Sequence, residues 1–115
     1  MNAEAVKFLF DILDGISKIQ FHIQNITSSI EFIQNVTVTD AAERRLAIIG
    51  EALWKASKID KSINVTNQKS IISLRHIIIH EYNMIDKGTL WRIIHNDLPI
   101  LQSEIEQFLK NLEES

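Results

Sequence analysis

The feature that most constrains the fold of this chain is its shortage of helix breakers, with one proline and three glycines in 115 residues. Proline and glycine are the residues that most disfavour the interior of a helix. Apolar residues recur at intervals of three and four, which is the spacing of amphipathic helices. The hydrophobic fraction of 45% suits one buried core, and a chain of 115 residues is too short for two. We therefore expect a single all-α domain over residues 1–115.

The first two helices are predicted in the N-terminal third of the chain. The first is expected from about Ala3 to Ile23. Its expected buried stripe consists of apolar residues spaced three and four apart: Val6, Phe10, Leu13, Ile16 and Ile19. A shorter second helix is expected after Thr27 and Ser28, whose hydroxyls can cap its N-terminus. Residues 36–39 are β-branched, disfavour helix and are expected to form a connector.

The third helix is predicted to begin near Asp40. The spacing from Asp40 to Glu43 is that of a capping box, and Thr39 is a competing cap. The helix is expected to end near Lys58. Residues 60–67 are polar and β-branched, so we expect them to form a loop.

The fourth helix is predicted over residues 70–82 and the fifth over residues 90–112. Gly88 is expected to mark a turn between them. Pro99 lies inside the fifth helix, where it predicts a kink or a restart near Asp97. Five helices with short connections predict an up-and-down bundle.

The fourth predicted helix is apolar around most of its circumference. At 100° per residue, its aliphatic side chains spread over several faces: Ile71, Ile72, Leu74, Ile77, Ile78 and Ile79. More than one face must then be covered, and the simplest cover is a second copy of the chain, so we expect a homodimer. Arg75 falls inside the apolar arc, where an unpaired charge is costly and burial with a partner is expected. His80 lies about 140° from Arg75 on an ideal helix, so the two do not share a face. They can converge if the helix frays near His80, if a cleft wraps around its edge or if both subunits form the site, and we expect the motif to lie in a cleft at the dimer interface.

Charge is distributed unevenly along the chain. The formal net charge is −3, but residues 41–95 carry nine Lys or Arg against five Asp or Glu. A local positive field attracts a phosphate backbone, so this segment is permissive for RNA; scatter in a short chain is the alternative interpretation. Lys55, Lys58 and Lys61 can line such an approach or form a solvated face.

Several chemistries and locations are disfavoured by the sequence. Cysteine is absent, which excludes disulfides and thiolate metal sites. His76 and His80 are four residues apart, but other metal ligands are few, so no metal site and no cofactor are predicted. Charged residues interrupt the N-terminal segment, and no apolar run approaches the roughly 20 residues of a membrane span. We expect a cytoplasmic protein without a membrane segment.

Three segments resemble a known family. The pattern Arg75-x-x-x-x-His80-x-Tyr82 resembles the signature of the HepT-like HEPN family, in which the residue after the arginine is often Asn and is His76 here. Residues 48–53, Ile-Ile-Gly-Glu-Ala-Leu, resemble the I-G-E-A segment of the family's third helix. Trp91 and residues 97–101, Asp-Leu-Pro-Ile-Leu, resemble its final helix.

The resemblance implies a toxin-type endoribonuclease that cleaves RNA as a homodimer without metal. It also implies a cognate MNT-type nucleotidyltransferase antitoxin. An imidazole can exchange a proton near neutral pH, which suits His80 as general acid/base, and a guanidinium suits Arg75 as stabiliser of phosphoryl charge. Tyr82 would contact RNA or accept AMP from the antitoxin. His76 and Glu51 would support these residues.

Other interpretations stay open at this point. A domain of the same fold could bind nucleotide or RNA without cutting, as the partner subunit of a nucleotidyltransferase. The chain could also be a plain helical dimerisation protein. Taken alone, Arg75 suggests a structural ion pair, for example with Glu51. Trp54 and Trp91 lie among apolar neighbours at helical spacing and are expected in the core.

Overall fold

The computed structural model describes residues 1–81, 83 and 85–114, and over these residues it contains helices and no strand. The helices are α1 (Ala3–Ile23), α2 (Ser29–Gln34), α3 (Val36–Ile59), α4 (Gln68–His80), α5 (Lys87–Arg92) and α6 (Leu98–Glu114). A π-helical turn, Ile93–Asp97, joins α5 to α6 without a break. Since α5, the π turn and α6 form one continuous helix, the predicted all-α architecture of five helices is confirmed.

Helix α3 is the centre of the fold, because α1 and α4 both pack along it. The C-terminal helix α6 packs against α1, and the short α2 packs against α3 and α5. The core is aliphatic apart from Phe32, and its largest fully buried aliphatic members come from α1, α3, α4 and α6: Leu9, Ile12, Ile16, Ile19, Leu46, Ile49, Leu53, Ile71, Leu98, Leu101 and Ile105. Each such side chain contributes about 1.5–3 kcal/mol when it is removed from water. No helix in the described part of the chain has the length and apolar character that a membrane crossing needs.

The N-terminus of α2 is capped by the residues that the sequence indicates. The Ser28 hydroxyl accepts the backbone N–H of Glu31 at 3.2 Å. In return, the backbone N–H and the hydroxyl of Thr27 donate to the Glu31 carboxylate at 3.1 and 2.8 Å. These two hydrogen bonds, the backbone one first, hold the pKa of Glu31 below its usual value. The cap fixes where the chain turns after α1.

Helix α3 begins four residues earlier than the sequence predicts. Residues 36–39 form its first turn, so the predicted connector is wrong, and so are the predicted caps at Thr39 and Asp40. The Asn35 side chain caps this turn by accepting the Val38 N–H at 3.1 Å. Thr39 is buried and donates its hydroxyl to the carbonyl of Val36 at 3.1 Å. Capping and burial therefore outweigh the weak helix propensity of β-branched residues.

The buried face of α1 is rotated from the predicted stripe. Phe10 is 55% exposed, and Val6 and Leu13 are half-buried, because the face that meets α3 runs instead through Leu9 and Ile12. Ile16 and Ile19 are buried as predicted. Two overlapping apolar stripes on one helix cannot be separated by spacing alone, and contact with α3 decides between them.

Of the two tryptophans, one is exposed and the other packs against the core. Trp54 is 43% exposed, so its predicted core position is wrong; it lies on the outer side of α3 with the Lys58 ammonium 4.5 Å from its ring centroid. Trp91 packs against the core, with its ring centroid 5.2 Å from that of Phe32. An aromatic on α3 thus remains available at the surface.

The last helix begins at Lys87, before the predicted turn. Gly88 lies inside α5, so the predicted turn there is wrong, and Asp86 caps the helix by accepting the Gly88 N–H at 3.1 Å. Near Asp97, where a kink or a restart is predicted, the helix instead passes through the π turn, which ends at that residue and leads into α6 with Pro99 as its second residue. The loop predicted over residues 60–67 is confirmed, and α4 begins directly after it.

Candidate active site

Arg75 projects from α4 toward α3 and forms an ion pair through Nε with the Glu51 carboxylate. The other oxygen of that carboxylate lies 3.5 Å from the Lys55 ammonium, so two cations share Glu51. The side chain of Arg75 is 47% exposed and that of Glu51 is 26% exposed in the single chain. Arg75 is thus half exposed in the single chain, and its burial at a dimer interface stays a prediction. Only Ile71 and Leu74 of α4 are fully buried, so the face that meets the core is narrower than the apolar arc.

The ion pair depends on a close approach of two helices at Gly50. A Cβ at this position would lie 2.7 Å from the carbonyl oxygen of Ile71 and 3.2 Å from the backbone nitrogen of Arg75. Both distances are shorter than ordinary van der Waals contacts, so only glycine lets α4 come this close to α3. Glu51 follows Gly50 directly, and the same approach brings its carboxylate to Arg75.

An open groove lies beside this ion pair, with a volume of about 360 Å³. We call it the Arg75 groove. Its apolar surface comes from Phe8, Ala47, Ile48, Ala52 and Ile79. Its charged surface comes from Lys7, Asp11, Glu51, Lys55 and Arg75. Helices α1, α3 and α4 all contribute, and an apolar surface ringed by a few converging charges is typical of a small-ligand site.

His80 lies away from this groove, at the exposed C-terminal end of α4. Its ring centroid is 5.0 Å from that of His76, one turn earlier, with an angle of 41° between the ring planes. His76 Nε2 lies 3.6 Å from a carboxylate oxygen of Glu81. Within the described part of the chain, no hydrogen bond or ion pair joins Arg75 to His80. The structure therefore brings together Arg75 with Glu51, and His76 with His80 and Glu81, as two separate clusters.

Tyr82, the remaining residue of the motif, lies outside the described residues. Among the residues that the structure does describe, no group of three or more His, Asp or Glu is placed to hold a metal ion. The other two histidines stand apart from both clusters; His95, for example, contacts the Trp91 carbonyl through Nδ1 at 2.9 Å.

Sequence reasoning missed the contribution of α1. Lys7, Phe8 and Asp11 line the Arg75 groove, although they lie more than 60 residues before Arg75 in the chain. The available signal is the placement of an aromatic residue beside a Lys–Asp pair, but that pattern is common on solvated helices. Only the packing of α1 on α3 shows that these side chains line the same groove as Lys55 and Arg75.

Comparison with known proteins identifies the family. Residues 12–108 match the model of the family described as "Ribonuclease HepT-like". Similar chains occur in Methanocaldococcus jannaschii. One, named "Putative RNase MJ1380", is 37% identical over 101 residues, which cover 86% of this chain and 91% of that protein. A second, "Putative RNase MJ1216", is 32% identical over 107 residues, or 92% and 88% of the two chains.

No solved structure shows a significant match to this chain. The family match covers most of the sequence, and the relatives are similar over nearly their whole length. The chain therefore belongs to the HepT-like ribonuclease family, as the motif around Arg75 and His80 suggested.

Proposed function

We propose that this protein is a toxin-type endoribonuclease that cleaves RNA by metal-independent His/Arg chemistry. One observation carries the proposal: in a chain of the HepT-like ribonuclease family, Glu51 holds the Arg75 guanidinium at the edge of an open groove, five residues before His80. An arginine oriented by a carboxylate and still half exposed can offer its remaining N–H groups to a phosphate.

The proposed reaction is an attack of a ribose 2′-hydroxyl on the adjacent phosphorus. His80 accepts the 2′-hydroxyl proton while the new P–O2′ bond forms, and negative charge grows on the phosphoryl oxygens. Arg75 stabilises that charge through its N–H groups. The P–O5′ bond then breaks, and the leaving O5′ takes the proton from the protonated His80, which returns to its neutral form. The products are a 2′,3′-cyclic phosphate and a 5′-hydroxyl.

The test is cleavage of RNA in the presence of EDTA by protein purified without any partner. We expect fragments whose 5′ ends accept a label from polynucleotide kinase without prior phosphatase treatment, because the reaction leaves 5′-hydroxyls. Intact mass measured first establishes that the protein carries no modification. Cleavage that stops in EDTA and resumes with Mg²⁺ would contradict the mechanism. Tight RNA binding without any cleavage would instead support the non-catalytic binding module.

A second copy of the chain completes the proposed site. Ile79 is 51% exposed beside Arg75, on a helix that is apolar around most of its circumference. In one protomer Arg75 and His80 belong to separate clusters. In a twofold dimer that packs through this part of α4, His80 of a second copy faces the Arg75 groove of the first, so each site draws on both chains.

Mixing two inactive variants tests this shared site. We expect Arg75→Ala and His80→Ala chains to restore about a quarter of wild-type cleavage after subunit exchange, because half of the dimers are mixed and each holds one intact site. If both residues act within one chain, no mixture regains activity.

The dimer itself is tested by sedimentation velocity at micromolar concentration. Ile79→Glu should give a monomer, since it places a charge in the interface. Ile100→Glu is the matched control, because Ile100 is a comparably exposed isoleucine, at 45%, on α6. A monomeric wild-type chain would contradict the proposal.

We also propose that a cognate MNT-type nucleotidyltransferase antitoxin neutralises the enzyme in the cytoplasm, where RNA and ATP are available. The Tyr82 oxygen would attack the α-phosphorus of ATP, form a phosphodiester with AMP and release pyrophosphate. The added negative charge, two residues beyond His80 in the chain, would repel RNA.

Intact mass of protein coexpressed with the antitoxin should show added AMP units that are absent in Tyr82→Phe. Neutralisation without a mass change would contradict modification and favour inhibition by binding.

A further inference from the structure

The Arg75 groove contains an aromatic surface flanked by two cations. The Phe8 ring is half-buried, and its centroid lies 5.1 Å from the Lys7 ammonium and 5.6 Å from the Lys55 ammonium. Aromatic rings that stack on bases, next to cations that follow the backbone, are the usual components of a single-strand binding site. Helix α1 supplies Phe8 and Lys7, and helix α3 supplies Lys55, so the packing of these two helices brings the aromatic ring and both cations together.

The size of the groove fits one nucleotide. Its volume of about 360 Å³ lies at the small end of the range for ligand sites, which is roughly 300–1,000 Å³. The surface next to Phe8 is apolar through Ala47, Ile48 and Ala52, which suits the face of a base. The charged groups lie around this surface, where the sugar-phosphate would run.

The face of α3 that forms the groove also carries an excess of positive charge. Arg44, Glu51, Lys55 and Lys58 are spaced seven, four and three residues apart, which places them on one face of a helix. Two carboxylates lie on the same face: Asp40, four residues before Arg44, and Glu51, which is already paired with Arg75 and Lys55. Because the whole chain has a net charge of −3, this stripe is a local positive feature that complements a polyanion.

We propose that the Arg75 groove binds one nucleotide of the RNA substrate next to the scissile phosphate. Its base stacks on Phe8, and the flanking phosphates contact Lys7 and Lys55. The proposal rests on the ribonuclease function and adds to it a substrate-binding subsite formed by α1 and α3.

Binding is measured with a fluorescent single-stranded oligoribonucleotide and the His80→Ala chain, which is expected not to cut it. Phe8→Leu should weaken binding about tenfold, because the stacking surface is lost. Phe10→Leu is the matched control, since Phe10 is an exposed phenylalanine on the same helix outside the groove, and its binding should stay within twofold of the parent. If the Phe8→Leu chain binds the oligoribonucleotide as tightly as its His80→Ala parent, the proposal that a base stacks on Phe8 is overturned.

The cations are tested by the salt dependence of the same binding. Lys7→Ala and Lys55→Ala should each lower the slope of log affinity against log salt by about 0.7, the value for one lost phosphate contact on a single strand. Lys18→Ala should leave the slope unchanged. Lys18 is matched to Lys7, because each lies on α1 and forms an ion pair four residues away in sequence, with Asp14 and Asp11 respectively. Equal losses from Lys7→Ala and Lys18→Ala would mean that only net charge matters and would overturn the subsite.

Chemical acetylation tests the subsite in a chain that carries no substitution in α1 or α3, so the result does not depend on whether the Phe8 and lysine variants fold. Bound RNA should protect Lys7 and Lys55 from chemical acetylation, with Lys18 remaining reactive, and an excess of polyglutamate should not reproduce the protection. Equal protection by polyglutamate would indicate a site for acidic peptides and would overturn the nucleotide assignment.

The subsite and the ribonuclease function can fail separately, because RNA binding is measured in the His80→Ala chain, which is expected not to cut. If the wild-type chain does not cleave RNA, the ribonuclease proposal is rejected. If the wild-type chain cleaves RNA but the Phe8 and lysine variants bind it as tightly as their parent, only the subsite is rejected.

Discussion

Replacement of His80 by alanine should lower the rate of RNA cleavage by about a thousandfold, because positioned acid/base catalysis typically contributes 10²–10⁴-fold. His80 lies at the exposed end of α4, so its removal should cost little stability. The measurement is single-turnover cleavage in EDTA, with RNA affinity determined in parallel. We expect the cleavage rate to fall with affinity nearly unchanged.

Two other histidines provide controls for this prediction. His22→Ala, in α1 and away from the motif, should cleave RNA at the wild-type rate. His76→Ala removes a ring that lies 5.0 Å from that of His80, and we expect a loss of tenfold or less from poorer positioning. If His76→Ala abolishes cleavage and His80→Ala does not, the catalytic assignment of His80 is wrong.

Replacement of Gly50 by alanine should lower the free energy of unfolding by about 2 kcal/mol, within the usual cost of overpacking. The added methyl would lie 2.7 Å from the Ile71 carbonyl oxygen, so α3 and α4 must separate. For a chain of this size the melting temperature should fall by about 10 °C. The same shift should draw Glu51 away from Arg75 and lower cleavage by the protein that remains folded. Thermal unfolding followed by circular dichroism measures the first effect.

Gly88→Ala is the matched control for a glycine within a helix. A Cβ at Gly88 would lie 3.4 Å from its nearest neighbour, an Asp86 carboxylate oxygen, which is an ordinary contact. Alanine favours helix over glycine by up to about 1 kcal/mol, so this variant should be unchanged or slightly more stable. Equal melting temperatures for the Gly50→Ala and wild-type chains would contradict the prediction, because they would show that α3 and α4 can accommodate a methyl group at position 50 without loss of stability.

The sequence predicts the helices of this fold well because their apolar spacing is regular over long stretches. The bounds of α1 are as predicted, and the start of α2, the loop over residues 60–67 and the π turn that ends at Asp97 agree with local capping and proline signals. The errors arise where packing decides between local alternatives. Residues 36–39 join α3 because Asn35 caps them and Thr39 is buried, and neither effect can be recognised from β-branched propensity.

The candidate site was only partly predictable from the sequence. The pairing of Arg75 with Glu51 was anticipated as a possible ion pair, and the structure shows it. The groove was not predicted, because its three helices come together only through tertiary packing. Periodicity also placed Arg75 within an apolar arc, but α4 presents a narrower face to the core than that arc suggests, so the arginine remains half exposed.

The close contact at Gly50 limits which second substitutions can suppress the effect of a larger residue at that position. The three atoms that an added Cβ would meet, two carbonyl oxygens and one amide nitrogen of α4, all belong to the backbone. A smaller side chain on α4 therefore does not relieve the clash. For this reason, a substitution of an α4 residue by a smaller one cannot suppress the effect of a larger residue at position 50. A suppressor would have to move a whole helix, and with it the arginine that α4 carries.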